Sequence, residues 1–174
     1  MKDFMIETER LCLLPLRRRN IELWMEDILL LENELNCNYE VPPLQGKFRE
    51  IVEKKYLRLI KDEENYMYHG FWLLIRKRDR EVIGGADFIE LPNEEGEIEL
   101  RFELGREFEH HGLMSEAITA ICNWAFQQKE ILSVIAKIDF ENYKAERLLR
   151  RCGFRVYSQK DNVCWRIEKE FKMV

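Results

Sequence analysis

From Glu97 to Leu104 the chain alternates without interruption: Ile98, Leu100, Phe102 and Leu104 fall on one face, Glu97, Glu99, Arg101 and Glu103 on the other. A period of two belongs to a β-strand with one side on a core and the other in polar surroundings. The next residues narrow the fold further. Gly105 to His111 form a short loop, and from Gly112 to Gln128 the residues Ala117, Ile121, Trp124 and Ala125 make one helical stripe. A strand thus gives way to a helix through a single short loop.

The flanking sequence extends this pattern in both directions. Ile6 to Leu16 alternates loosely and predicts a strand. Asn20 is placed to cap a helix running to about Glu34, on Ile21, Trp24, Ile28 and Leu31. A break over Cys37–Pro43 precedes a second helix from about Lys47 to Lys61. Tyr68 to Arg76 and Glu81 to Glu90 predict strands joined by a turn at Lys77–Arg80, and Pro92–Gly96 is a turn before the alternating strand. After the helix come a buried strand, Ser133 to Asp139, and a helix from Tyr143 to Cys152 closed by Gly153. A hairpin, Phe154–Gln159 with Val163–Phe171, ends the chain. The order β-α-α-β-β-β-α-β-α-β-β predicts one α+β (mixed α/β) domain over residues 1–174.

Composition excludes several classes. Net charge is −5, and Arg17-Arg18-Arg19 is the only basic cluster, so no nucleic-acid partner is expected. The N-terminal MKDFMIETER has no apolar core of a signal peptide, and no apolar run approaches the roughly 20 residues of a membrane span. Cys12, Cys37, Cys122, Cys152 and Cys164 are odd in number, lack CxxC spacing and sit among apolar neighbours. They predict a reducing, cytoplasmic setting. The oligomeric expectation is monomer or homodimer.

Two segments could carry chemistry. A helix N-terminus presents unpaired N–H groups and about half a positive charge, which suits phosphate oxygens. Gly112 is open to two readings: close approach of backbone to a pyrophosphate, or a plain turn into the helix. Asn142, after the buried strand, either caps the next helix or turns its amide to a ligand. Adjacent His110 and His111 invite a metal, but no Cys, Asp or Glu cluster completes a site, so none is expected.

Five stretches together resemble the RimJ/RimL-like branch of the GNAT N-acetyltransferase family. Ile6–Leu11 with Leu14-Pro15-Leu16 is similar to its opening strand, and Glu81–Gly85 to its "vIG" strand. Ile98–Phe102 is similar to "aEiGY", and His111–Ala117 to the "kGyatEA" start of its pyrophosphate-binding helix. Asn142–Ala145 with Leu148–Phe154 is similar to "N-x-x-S…l-x-x-x-GF". The resemblance implies a central, mostly antiparallel twisted sheet of about seven strands flanked by about four helices. It also implies acetyl-CoA as cosubstrate and an amine as acceptor, joined by direct attack in a ternary complex.

The resemblance further assigns residues. The backbone of Phe102, Glu103 and Leu104 would pair with the pantetheine amides. His110, His111, Gly112, Leu113, Met114 and Ser115 would hold the pyrophosphate, and Asn142 would bond the cofactor. Glu99 is the candidate base, its bland alternative being one residue of a solvated strand face. Tyr143, Cys152 and solvent are the options for the acid. The first two helices and nearby loops, with Glu22, Trp24, Glu26, Asp27, Glu32, Tyr39, Glu40, Tyr66, Tyr68 and His69, would form the acceptor site. The family pattern Q/R-x-x-G-x-G/A reads Glu107-Phe108-Glu109-His110-His111-Gly112 here, Leu149 stands in place of a tyrosine and Ala145 in place of a serine. His110 and His111 are either inert loop residues or a switchable charge at the pyrophosphate.

Overall fold

The computed structural model describes residues 4–40 and 44–170. In chain order it has β1 (Ile6–Glu7), β2 (Leu11–Pro15), α1 (Arg18–Glu26), α2 (Ile28–Leu35), α3 (Gly46–Lys61), α4 (Tyr66–His69), β3 (Phe71–Arg76) and β4 (Val82–Phe88). Then come β5 (Glu97–Leu104), α5 (Leu113–Ala125), β6 (Ser133–Ile138), α6 (Tyr143–Arg151), β7 (Arg155–Gln159) and β8 (Val163–Glu168). The strands form one eight-stranded sheet in the order β1-β2-β3-β4-β5-β6-β8-β7. Every pairing is antiparallel except β5 with β6. The expected end of the last strand at Phe171, and Val41 to Pro43 of the expected break, lie outside the described residues.

Both faces of the sheet are covered, which explains why β2 and β3 read as unbroken apolar runs rather than as alternation. Leu11, Leu13, Trp72 and Leu74 pack on the α5 side with Ala117, Ile118, Ile121 and Leu149. Leu14, Leu73 and Ile75 turn to the other side, onto Ile21, Trp24 and Leu31 of α1 and α2 and Val52 and Leu59 of α3. Each such fully buried aliphatic side chain contributes about 1.5–3 kcal/mol.

Four local expectations change. The single strand expected from Ile6 to Leu16 is two, β1 and β2, which turn back on each other and pair antiparallel with Ile6 opposite Leu13. Asn20 is not the cap of the first helix: Arg17 is, and the Asn20 Oδ1 accepts the Arg17 backbone N–H at 3.0 Å from the third helical position. The single helix expected to Glu34 is two, because Asp27 leaves helical geometry at φ −148° and caps α2 by accepting the Leu30 N–H at 3.0 Å. Tyr68 is in α4, not a strand. Trp72 Nε1 donates to the Met67 carbonyl at 2.8 Å, and α4 then passes into β3 at Gly70. A Cβ at Gly70 would lie 2.5 Å from the Leu16 carbonyl oxygen, so only glycine fits between β2 and this helix end.

Candidate active site

β5 and β6 run together only from Glu97↔Ser133 to Glu99↔Ile135. Beyond that, β5 keeps its pairing with β4 as far as Gly84↔Leu104, while β6 continues along β8 to Ile138↔Val163. The strands therefore part, leaving a wedge. The Glu99 carbonyl accepts from the Ile89 N–H at 3.0 Å and the Gly105 N–H donates to Ile83 at 2.9 Å. Odd-numbered peptides of β5 thus face β4, and by alternation those of Phe102 and Leu104 face the wedge. The Glu103 peptide, expected to act with them, is turned toward β4.

The loop at the end of β5 leads to α5. Arg106–Phe108 make a 3₁₀ turn, His110 takes φ 65° and Gly112 φ 74°. Left-handed geometry at His110 is the conformation a glycine supplies without strain, so the loop keeps its course although the family's first glycine is absent. Gly112 caps α5 without a side-chain bond, and the first helical bond to it comes from Glu116 at 3.1 Å. The N–H groups of Leu113, Met114 and Ser115 thus have no acceptor within the helix. A Cβ on Gly112 would project into space where the nearest atom is Arg10 Nη2 at 3.6 Å, and Ser115 Oγ is buried without a partner. Open backbone, free amides and an unsatisfied hydroxyl fit a diphosphate ester.

Charge around this loop is arranged by residues distant in sequence. Glu109 is neutralised by Lys144 at 2.5 Å, which holds its carboxyl below the usual range, with His110 adding to the effect, and ties α6 to the loop. Arg10 donates through Nη1 to the His111 carbonyl at 2.8 Å and through Nε to Glu116 at 2.7 Å. The Glu116 carboxylate also accepts from Thr8 Oγ1 at 2.6 Å and the Arg10 N–H at 2.8 Å. Partial burial works to raise the Glu116 pKa, but these bonds outweigh it and hold it low. The latch is invisible to sequence reasoning: Thr8-Glu9-Arg10 and Glu116 each lie inside a recognised motif, with nothing in the sequence to join them.

Asn142 caps α6, its Oδ1 accepting the Ala145 N–H at 3.1 Å, which leaves the Nδ2 amide free to donate. Leu149 is fully buried in the core. Tyr143 is exposed, and Cys152 donates to the Ser115 carbonyl at 3.8 Å, its pKa raised by burial.

On the other side of β5 a cavity of about 670 Å³ opens between the sheet and α1–α3. Trp24, Tyr39, Phe48 and Phe71 form an edge-to-face cluster along it, with Trp24 centroids 5.3–6.0 Å from the other three. Trp24 Nε1 donates to Tyr39 Oη at 2.9 Å. Of the acceptor-site residues expected from sequence, Trp24, Tyr39 and Glu40 line this cavity; the others do not. Tyr68 instead donates to Glu130 at 2.8 Å, His69 meets Asp62 at 2.9 Å and Glu32 accepts the Tyr39 N–H at 2.6 Å.

Asp87 and Arg101 line the cavity and belong to a charged cluster that sequence reasoning missed. Lys55 and Asp87, both buried, pair at 2.9 Å, and Arg101 meets the same Asp87 oxygen at 2.5 Å. Lys55 also donates to the Phe88 carbonyl at 2.7 Å, and burial outweighs Asp87 in lowering its pKa. The one signal for it was a lysine on the apolar stripe Val52–Lys55–Leu59. Glu40, Glu103 and Glu107 also line the cavity, and among the described residues no hydrogen bond or ion pair reaches their carboxylates. Glu99 does not line it: its carboxylate accepts from Lys137 at 2.6 Å, where β5 and β6 part.

The family model described as an acetyltransferase (GNAT) domain matches residues 10–155. The N-acetyltransferase YjdG of Bacillus subtilis (strain 168), itself described as uncharacterized, is 28% identical over 109 residues, which are 62% of this chain and 59% of that protein. The chain thus spans less than two thirds of that relative's length. Among solved structures, the ribosomal-protein-S5-alanine acetyltransferase of Vibrio fischeri superposes with a TM-score of 0.69 at 14% identity, over 97% of this chain and 98% of that one. The ribosomal L7/L12 alpha-N-protein acetyltransferase RimL, in complex with coenzyme A, superposes at 0.68 and 15% identity, over 95% and 98%. These likenesses extend the fold across the chain, and the match over residues 10–155 settles the family: the chain belongs to the GNAT acetyltransferases.

Proposed function

We propose that the chain is an N-acetyltransferase that moves an acetyl group from acetyl-CoA to a primary amine, of a protein N-terminus or a small molecule, by direct attack in a ternary complex. One observation carries this: β5 parts from β6 and runs at once into a helix N-terminus whose cap, Gly112, has φ 74° and leaves three amides free. RimL, which shares the fold, is described in complex with coenzyme A. Here the peptides of Phe102 and Leu104 would pair with the pantetheine, and a wedge-facing N–H would polarise the thioester carbonyl. The amides from His111 to Ser115 would hold the pyrophosphate, with Arg10 close by, and Asn142 Nδ2 would donate to the cofactor. Acetyl-CoA supplies the activated acyl group and a thiolate leaving group; a thiol of pKa about 8.5 departs at modest cost without a dedicated acid. Such an enzyme belongs in the cytoplasm, with its donor.

Calorimetric titration with acetyl-CoA, followed by thiol release across a panel of primary amines, tests the proposal. Saturable binding with release dependent on one class of amine is expected. Absence of binding ends it. Binding without release from any amine would favour the second reading, a non-catalytic acyl-CoA-binding module, for which the buried Leu149 in the tyrosine position is the supporting observation.

A further inference from the structure

Resting on that acetyl-transfer reading, we propose that Glu103, rather than Glu99, is the carboxylate that receives the acceptor amine's proton. The two residues stand four apart on one face of β5, about 13 Å along the strand. Their surroundings differ in kind. Glu99 is engaged by Lys137 at 2.6 Å and is absent from the cavity wall. The Glu99 carboxylate is thus already occupied by a cation where β5 and β6 part. Glu103 opens into the cavity, and no cation among the described residues pairs with it.

Position on the strand adds a second argument. The Glu103 peptide faces β4, while the peptides on either side, Phe102 and Leu104, face the wedge. Residue 103 therefore stands at the partition: its neighbours' backbone borders the donor side and its own side chain reaches the acceptor side. Tyr39 lies close enough for its phenol to feel the Glu103 charge. Burial pushes the Tyr39 pKa up to about 12, against the Trp24 bond and with Cys37 and Glu103 adding to the rise. Tyr39 thus stays protonated, and because its oxygen already accepts from Trp24, its hydrogen is available to a carboxylate or an incoming amine. The other charged groups facing this space are Glu40, Glu81 and Asp87, Arg101 on the same strand, and Glu107 from the loop.

Protons and electron pairs balance in this step. An ammonium acceptor gives one proton to Glu103, and the freed lone pair attacks the thioester carbonyl carbon. The C–N bond forms, the C–S bond breaks and the electron pair leaves on sulfur. The nitrogen's surplus proton passes through solvent to the thiolate, and Glu103 returns its own proton to water. The products are the amide and the free thiol.

The test compares Glu103→Gln and Glu99→Gln in the whole chain, with acetyl-CoA and amines of graded basicity at pH 7. Glu103→Gln should lower kcat by roughly 10²–10⁴-fold for strongly basic amines. The loss should shrink for weakly basic amines, which arrive already neutral, a dependence that a merely structural role would not produce. Calorimetric affinity for acetyl-CoA and the melting temperature should be unchanged, since Glu103 is exposed. Glu99→Gln should stay within a few-fold of wild type. A Glu103→Gln rate within about three-fold of wild type, or a larger loss at Glu99, overturns the assignment and leaves acetyl transfer intact. A wild-type chain that binds no acetyl-CoA or releases no thiol overturns both.

Discussion

The two sides of β5 solve their tasks with different materials. On the α5 side the candidate donor site is mostly backbone: two wedge-facing peptides, a left-handed Gly112 and the free amides of one helix turn. Behind it the core is apolar and aromatic, with Trp124 against Trp72, Tyr68 and Phe88 at centroid distances of 5.0–6.0 Å. On the α1–α3 side the cavity is lined largely by side chains, and two of its charged residues, Asp87 and Arg101, form a cluster with buried Lys55. Backbone geometry tolerates wide sequence change as long as glycine and helix positions persist. A side-chain cavity changes with every substitution. Features shared across the family therefore belong on the first side, and features peculiar to this chain on the second, where Arg101 occupies the glycine position of the "aEiGY" strand.

The sharpest way to break this contrast is to remove one charge from that cluster. Lys55→Met should cost about 3–5 kcal/mol, because Asp87 stays buried with a weaker set of partners. Arg101 remains beside it, so the lower end is expected. The double variant Lys55→Met/Asp87→Asn should recover much of the loss, as the uncompensated charge is then gone. Urea denaturation at pH 7 measures both. If the single variant loses less than about 1 kcal/mol, the cluster is not desolvated.

The corresponding break on the donor side is Gly112→Val. At φ 74° a branched side chain carries about 1–2 kcal/mol of backbone strain. It also fills the space in front of the free amides. Acetyl-CoA affinity should fall about 100-fold, roughly 2.7 kcal/mol, by calorimetry. A folded variant with wild-type affinity would move the pyrophosphate elsewhere.

A smaller effect should come from the latch that closes the donor side. Glu116→Gln should lose about 1–2 kcal/mol at pH 7, a figure reduced because Arg10 is partly exposed. The native pKa of Glu116 is depressed, so its contribution is present above the unfolded value of 4.5 and is lost as pH falls through the native value. Wild type and variant should therefore converge in stability at acid pH. A difference that persists at pH 3 would make the loss steric rather than electrostatic.

Legibility in the sequence divides along the same line. The strict alternation of Glu97–Leu104 marked the bounds of β5, and Gly112 and Asn142 marked two helix starts, because strand period and cap preference are local properties. Local signals also misled locally. Asn20 is a good cap residue, but its amide serves equally well from the third position, and Asp27 broke a helix that apolar spacing alone ran through. The Lys55–Asp87–Arg101 cluster was not legible, because its members come from three elements with no fixed spacing. Sequence could put Glu99 and Glu103 on one face; it could not show that Lys137, 38 residues on, engages one of them.

The smallest effect expected is also the one that separates loop geometry from loop charge. His110 holds a left-handed φ of 65° where the family pattern has glycine. A non-glycine residue there costs about 1–2 kcal/mol, with histidine among the more tolerant types. His110→Gly removes that strain but adds about 0.4–1 kcal/mol of unfolded-chain freedom. The net gain should be about 0.5 kcal/mol, a rise of about 1–2 °C in Tm for a chain of this size. The imidazole is 81% exposed, so charge on it meets screening by salt and water. An imidazole in contact with the pyrophosphate would make the variant bind dephospho-CoA a few-fold more weakly than wild type at low salt, the gap closing in high salt. Dephospho-CoA is the right probe because it lacks the 3′-phosphate, a further anionic group that would add its own salt dependence. Equal affinities at low and high salt, with the Tm still raised, would leave His110 a geometric stand-in for glycine and assign the cationic support of the loop to Arg10.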